Sequence, residues 1–295
     1  MIECALPAGG SSSRLLYLSS SCVRSNSATE AVEKLSGITP NIELSGGTSH
    51  DEGLLDKLEK IKEEKNINFL IHGYFPPPMK HFILNFADTG QRTRDFIRES
   101  VRYAKALGVG YYSVHSGFKA DFGFKDELLT NPGGESYSED GISENIEWFG
   151  KEFPGIKLAV ENLYPNNRNG ECCFLLRPEE ITGFLTREKT AYLLLDLGHL
   201  QVSARFFGFD FAGAADMLLS DYAGRVMEIH LSENKGDFDD HGLIHEGSVQ
   251  LEIVRRHADG ILENGINLVV EARNSPHEEL ALCYNLVCER VFAAK

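Results

Sequence analysis

The stretch LLLDLGHL, residues 193–200, ends an apolar run with a carboxylate, Asp196, and places an imidazole, His199, three residues later. Burying both at the end of such a run is costly unless something offsets their polarity. The same pairing of an apolar run with a polar end recurs along the chain. NFLIHG carries His72, YYSVHSG carries His115, KLAVENL carries Glu161, RVMEIHL carries His230 and NLVVEAR carries Glu271. The segment FDDHGLIHEG then adds Asp239, Asp240, His241 and His245. A lone histidine or glutamate in such a place is ordinarily hydrogen-bonded or solvated. A run of them at consecutive strand ends is a pattern. Clustered carboxylates repel and shift one another's pKa unless a cation sits between them. Imidazole nitrogen mixed with carboxylate oxygen suits zinc, manganese, iron or cobalt. A bound divalent metal is therefore the expected partner of Asp196 and His199.

These residues need a scaffold that brings strand ends together. Eight short β-rich runs are legible: 15–21, 41–46, 68–73, 111–117, 157–163, 191–199, 225–231 and 267–273. Helical patterns fall between them over 27–37, 50–64, 88–110, 143–152, 177–186, 212–224, 248–265 and 275–293. Strand then helix, repeated eight times, is the order of a (β/α)8 barrel of the α/β class, and residues 1–295 read as one such domain. In that architecture the chemistry sits at the C-terminal strand ends. His72, His115, Glu161, Asp196 with His199, His230 and Glu271 would close strands three to eight. The long irregular stretch 117–141 follows the fourth strand and would overhang the same face.

The composition narrows the partners. The net charge of −15 opposes non-specific attraction to phosphate backbones and anionic lipid surfaces. No apolar run approaches the roughly 20 residues a membrane span needs. The start, MIECALPAGGSSSR, does not read as a secretory signal, and the six cysteines show no paired CxxC spacing. Reduced thiols in a cytoplasmic protein are expected. Self-association is left open.

The motifs HGYF, HSG, ENL, DLGH, IHLSEN, the D-x-H of 239–241 and VVEAR, in this order and spacing, resemble the xylose isomerase-like (β/α)8 barrel superfamily. It contains endonuclease IV, a zinc enzyme of abasic-site DNA (AP endonuclease family 2), and many sugar and sugar-phosphate isomerases and epimerases. The resemblance runs from about Ile42 to Arg273 and implies one to three divalent ions per chain: manganese, zinc, magnesium or cobalt. By analogy with endonuclease IV, one metal takes His72, His115 and Glu161. A second takes Glu161, Asp196, His230 and Glu271, and a third takes His199, Asp239 and His241. The isomerase and epimerase branch needs only Glu161, Asp196, His230 and Glu271 around one metal, with the two glutamates moving the proton. Two features depart from endonuclease IV. Its first-strand Gly-x-His-Val-Ser motif has no counterpart in YLSSSCVRSNS, and the loop TSHDEG after the second strand is acidic.

Two chemistries follow. In an isomerase or epimerase, Glu161 and Glu271 are the catalytic pair passing a carbon-bound proton through an enediolate on a small sugar or phosphosugar. Arg273 and His245 are then the candidate substrate contacts. In a phosphoester hydrolase, two or three zinc ions would activate water, and all nine ligand residues would be used. A metal-binding protein without turnover is the remaining class.

Overall fold

The computed structural model describes residues 15–120, 137–165, 172–236 and 238–292, with the backbone alone at 123–125 and 128–130. Eight parallel strands form the barrel: β1 (Leu16–Ser19), β2 (Asn41–Leu44), β3 (Asn68–Ile71), β4 (Tyr111–His115), β5 (Lys157–Glu161), β6 (Tyr192–Asp196), β7 (Val226–Leu231) and β8 (Asn267–Val270). Along the sheet each pairs in parallel with its sequence neighbour, and β1 pairs with β8 through Leu16–Leu268, Tyr17–Val269 and Leu18–Val270. The remaining gap, between β3 and β4, is bridged at one point, where His72 lies opposite Ser113 and Gly73 N donates to the Ser113 carbonyl at 2.7 Å. The barrel is thus nearly closed, with helices between its strands.

The strands are short and almost wholly buried, as expected where helices cover a barrel whose interior is also filled. Among the described residues ten helices pack outside: α1 (Ala28–Leu35), α2 (Leu54–Lys65), α3 (Gln91–Ala106), α4 (Glu139–Glu152), α5 (Pro178–Arg187), α6 (Leu197–Phe207), α7 (Phe211–Asp221), α8 (Val249–Arg256), α9 (Ala258–Asn264) and α10 (His277–Val291). Local chemistry sets their ends. Ser27 caps α1 by accepting from Glu30 N, and Glu30 reaches back to Asn26 N, a reciprocal cap of the kind the sequence signals.

Three sequence expectations change. The run 191–199 is not all strand: it turns into α6 at Leu197, so His199 sits in a first helical turn. The helix expected over 248–265 breaks at His257 into α8 and α9. The stretch 117–141 falls largely outside the described residues. Its backbone shows an antiparallel pair, Gly123–Lys125 with Leu128–Thr130, and α4 begins at Glu139.

The described cysteines, Cys22, Cys172, Cys173, Cys283 and Cys288, are free thiols. No helix among the described residues is long and apolar enough to cross a membrane.

Candidate metal centre

Asp196 shows how backbone and site are built together. It ends β6 and caps α6, its Oδ1 accepting from His199 N at 2.7 Å. That leaves Oδ2 buried with no hydrogen-bond partner. Between them lies Gly198, where a Cβ would run into the Ser232 hydroxyl and the Asn234 amide. The D-x-G-H spacing is thus a strand end, a helix cap, a close approach and an inward imidazole in four residues.

The histidine tautomers are fixed by neighbours that can only accept. His199 Nδ1 lies 2.9 Å from the Asn162 carbonyl, and His241 Nδ1 lies 2.9 Å from the Glu271 carbonyl, so both nitrogens carry their protons. Ser113 donates to the Ile71 carbonyl, so its oxygen accepts from His72 Nδ1 at 3.1 Å. His230 Nε2 sits between two carboxyl groups, 2.7 Å from Glu228 Oε1 and 3.0 Å from Glu43 Oε2. When such a ring is neutral its other nitrogen presents a lone pair, and in each case that nitrogen faces a carboxylate. His72 Nε2 is 3.3 Å from Glu161 Oε2, as is His115 Nε2. His230 Nδ1 is 3.3 Å from Glu271 Oε2 and 3.8 Å from Asp196 Oδ2. His199 Nε2 is 3.7 Å from Asp239 Oδ2, the oxygen that His241 Nε2 also meets.

Acceptors facing acceptors in a dry interior are repulsive unless a cation lies between them. Both Glu161 oxygens, Asp196 Oδ2 and His230 Nδ1 are buried without hydrogen-bond partners. The donors fit a divalent metal. Among the described residues, Asp196–His230–Glu271, His72–His115–Glu161, Glu161–Asp196–His199 and Glu43–His72–His230 each bring three potential ligand atoms within 4.8 Å of one another.

Without an ion, protons take part of that place. Burial alone would lower the pKa of His199 and His230, yet Asp196 with Asp239, and Glu43 with Glu228, raise them well above the ordinary imidazole value. Burial would raise Glu161, but His115 and His72 pull it far below the carboxylate range. Glu271 falls to about 2, burial being outweighed by the proton that His230 Nδ1 can place 3.3 Å from its Oε2. Asp196 rises to about 7 because burial dominates there. At His72 burial outweighs the charge of Glu161, and the imidazole drops to about 4.

The sequence reading missed the layer beneath. Glu43 on β2 and Glu228 on β7 are fully buried, and Tyr111 donates to Glu228 Oε2 at 2.5 Å. Burial, reinforced by the charge of Glu228, holds Glu43 well above the carboxylate range. Glu228 is lowered: burial opposes this, but the hydrogen bond from His230 prevails. Together they fix which nitrogen of His230 carries the proton. The signal was present, since Glu228 and His230 are two apart on one strand and so share a face, and NIEL puts a carboxyl inside an apolar strand.

Above the cluster opens a cavity of about 670 Å³. Glu271, His72, His115, His199, Asp239 and His241 reach its lining, whereas Glu161, 1% exposed, lies under the floor. Arg273 lines it and donates to His241 Nε2 at 2.8 Å. His245 is not brought to the cavity: it is exposed and accepts from Gly247 N in a local turn. The loop carrying Asp239 and His241 is latched, Glu233 and Gly242 exchanging backbone bonds of 2.9 and 2.8 Å and Asn234 Oδ1 accepting from Asp240 N and His241 N.

The family model described as xylose isomerase-like TIM barrel matches residues 37–282. The chain belongs to this family. Solved structures similar to this xylose isomerase-like barrel include a D-tagatose 3-epimerase-like protein, at 19% identity and TM-score 0.65, covering 93% of this chain and 96% of that one. An AP endonuclease, family 2, from Brucella melitensis aligns at 16% identity and TM-score 0.64, with 92% and 97% covered. The 3-keto-D-glucoside 4-epimerase of E. coli aligns at 12% identity and TM-score 0.62, with 92% and 99% covered. No protein of curated function matches the sequence. At these identities the structural likenesses show the fold, and the reaction must be argued from the site.

Proposed function

We propose that this xylose isomerase-like barrel is a divalent-metal-dependent isomerase or epimerase of a small sugar or phosphosugar. The observation that carries the reading is a pair of donor groups joined at Asp196, one with Glu161 and one with His230 and Glu271, in which both Glu161 oxygens, Asp196 Oδ2 and His230 Nδ1 are buried without partners beneath a small-molecule cavity. A divalent ion held there would polarise a carbonyl and its adjacent hydroxyl. Glu271 is ionised at neutral pH and reaches the cavity, so it is placed to accept a carbon-bound proton. Glu161 approaches from β5, and His72 and His115 each bring Nε2 to 3.3 Å from its Oε2, where a metal would bridge them. Arg273 orients His241 and offers its other donors to a substrate oxygen.

A second reading, a multi-zinc phosphoester hydrolase, is favoured by one observation. His72, His115 and Glu161 form their own compact donor group, which an isomerase does not require. Against a third ion stands Arg273. Its guanidinium already uses the His241 lone pair, so a fixed cation occupies the side of His241 that a third metal would need. The acidic chain and the TSHDEG loop also disfavour a nucleic-acid substrate.

The test is turnover of a panel of ketose and aldose sugars and their phosphates by manganese- or cobalt-loaded protein, followed by solvent deuterium incorporation at the carbon beside the carbonyl. Deuterium uptake with Glu271→Gln inactive supports the reading. Hydrolysis of a phosphodiester with no sugar exchange overturns it.

A further inference from the structure

Two arginines at the cavity wall are left over once the metal ligands are assigned. Arg273 follows β8 and Arg24 follows β1, and both line the cavity. Their loops are joined: Asn274 N donates to the Ser21 carbonyl at 3.3 Å and Ser275 N to the Cys22 carbonyl at 2.8 Å. The Arg24 backbone is anchored by Lys34 Nζ, which donates to its carbonyl at 2.7 Å. Elsewhere in this acidic chain arginines such as Arg94, Arg98, Arg256 and Arg290 each hold a carboxylate. Among the described residues Arg24 holds none, and Arg273 makes its hydrogen bond to the His241 ring rather than to a carboxylate. In a chain of net charge −15, two arginines on adjoining loops that form no ion pair among the described residues are cations kept available. A second, independent feature lies on the same wall. Thr48, in the loop after β2, is 8% exposed, and its hydroxyl has no hydrogen-bond partner.

Resting on the isomerase or epimerase reading, we propose that Arg24 and Arg273 form the seat for an anionic terminus of the substrate, with the Thr48 hydroxyl as an additional donor. The substrate class is then a sugar carrying a carboxylate or phosphate at the end remote from its reacting carbons. Guanidinium groups match either oxyanion bidentately, and their charge makes such a contact about ten- to a hundredfold in affinity. The −15 field repels an anion at long range, so the seat must supply its attraction locally. Binding should accordingly weaken as salt rises, since both arginines are exposed.

The experiment is calorimetric binding of three compounds that share one carbon chain and carry no ketone or aldehyde: ribitol, ribonate and ribitol 5-phosphate. Each is titrated into metal-loaded wild type, Arg24→Gln and Arg24→Gln/Arg273→Gln, all checked for fold by circular dichroism. Wild type should bind at least one anion ten or more times tighter than ribitol. Arg24→Gln should lose about tenfold for that anion and nothing for ribitol. The preferred anion, phosphate or carboxylate, names the terminus. Equal binding of all three compounds, or an anion preference that survives the double variant, overturns the proposal, as does a preference that vanishes only when metal is chelated. Because no step of turnover is measured, failure of the isomerase reading would appear separately, as anion binding without deuterium exchange on any sugar.

Discussion

Replacing Asp196 with asparagine separates what the site does for the fold from what it does for a metal. Asp196 Oδ1 caps α6, and an asparagine oxygen can make the same bond to His199 N. The other oxygen, Oδ2, is buried and unpartnered. Burial raises the carboxyl from 3.8 to about 7, so keeping it ionised in the metal-free fold costs on the order of 4 kcal/mol. The sign is that of a raised folded pKa. Protonation favours the fold at low pH, and this contribution is lost as pH rises from about 4 through about 7. The asparagine variant has no such charge to bury. With chelator present at pH 8, Asp196→Asn should therefore be more stable than wild type, by up to a few kcal/mol. With saturating metal the order should reverse, because wild type alone gains the ion's binding energy. Asp196→Ala serves as control, since it relieves the same charge but forfeits the cap, worth about 1 kcal/mol. Denaturant melts with and without chelator read both effects. Chelated Asp196→Asn that is less stable than chelated wild type, or that keeps its full metal content, would refute the reasoning.

Other outcomes are expected from the same geometry. Glu161→Gln and Glu271→Gln should each lower turnover on any identified substrate by about a hundredfold or more while the far-UV circular dichroism stays native. Metal affinity should fall as pH falls, because carboxylates raise His199 and His230 and a proton then competes for their lone pairs. Equilibrium dialysis between about pH 5 and 8 should find the ion held at the upper end and released at the lower. His241→Ala should leave metal content per chain unchanged and reduce activity by about 10–100-fold, as expected of a residue orienting others; loss of one zinc per chain would instead promote the hydrolase. DNA with abasic sites should be nicked poorly at about 0.15 M salt, checked by gel assay against a neutral sugar panel.

How much was legible from sequence depended on where each residue's reason lay. The barrel was readable because each strand is a short apolar run followed by an amphipathic helix, and the run ends named His72, His115, Glu161, Asp196, His230 and Glu271. These fall into overlapping three-residue groups of potential ligands. α6 was not readable, because it starts on the last strand residue with no break between them. Glu43 and Glu228 were passed over because each sits inside an apolar run, where only the fold shows that opposing strands bring the two against His230. Arg24 lies in a serine-rich segment without periodicity, and only the bonds from Asn274 and Ser275 place it beside Arg273. His245 is a histidine that sequence alone cannot separate from the cavity's own: it is exposed, turns with Gly247 and is not among the residues lining the cavity.

The central claim is that lone pairs facing carboxylates at the barrel mouth are reconciled by a divalent ion. Metal analysis of protein purified without chelator tests it most directly, by plasma mass spectrometry on wild type and Asp196→Asn side by side. The account predicts one tightly held manganese, magnesium or cobalt ion per wild-type chain and its loss from the folded variant. Folded, active wild type carrying no divalent metal would contradict the claim, and three zinc ions per chain would contradict the functional reading built on it.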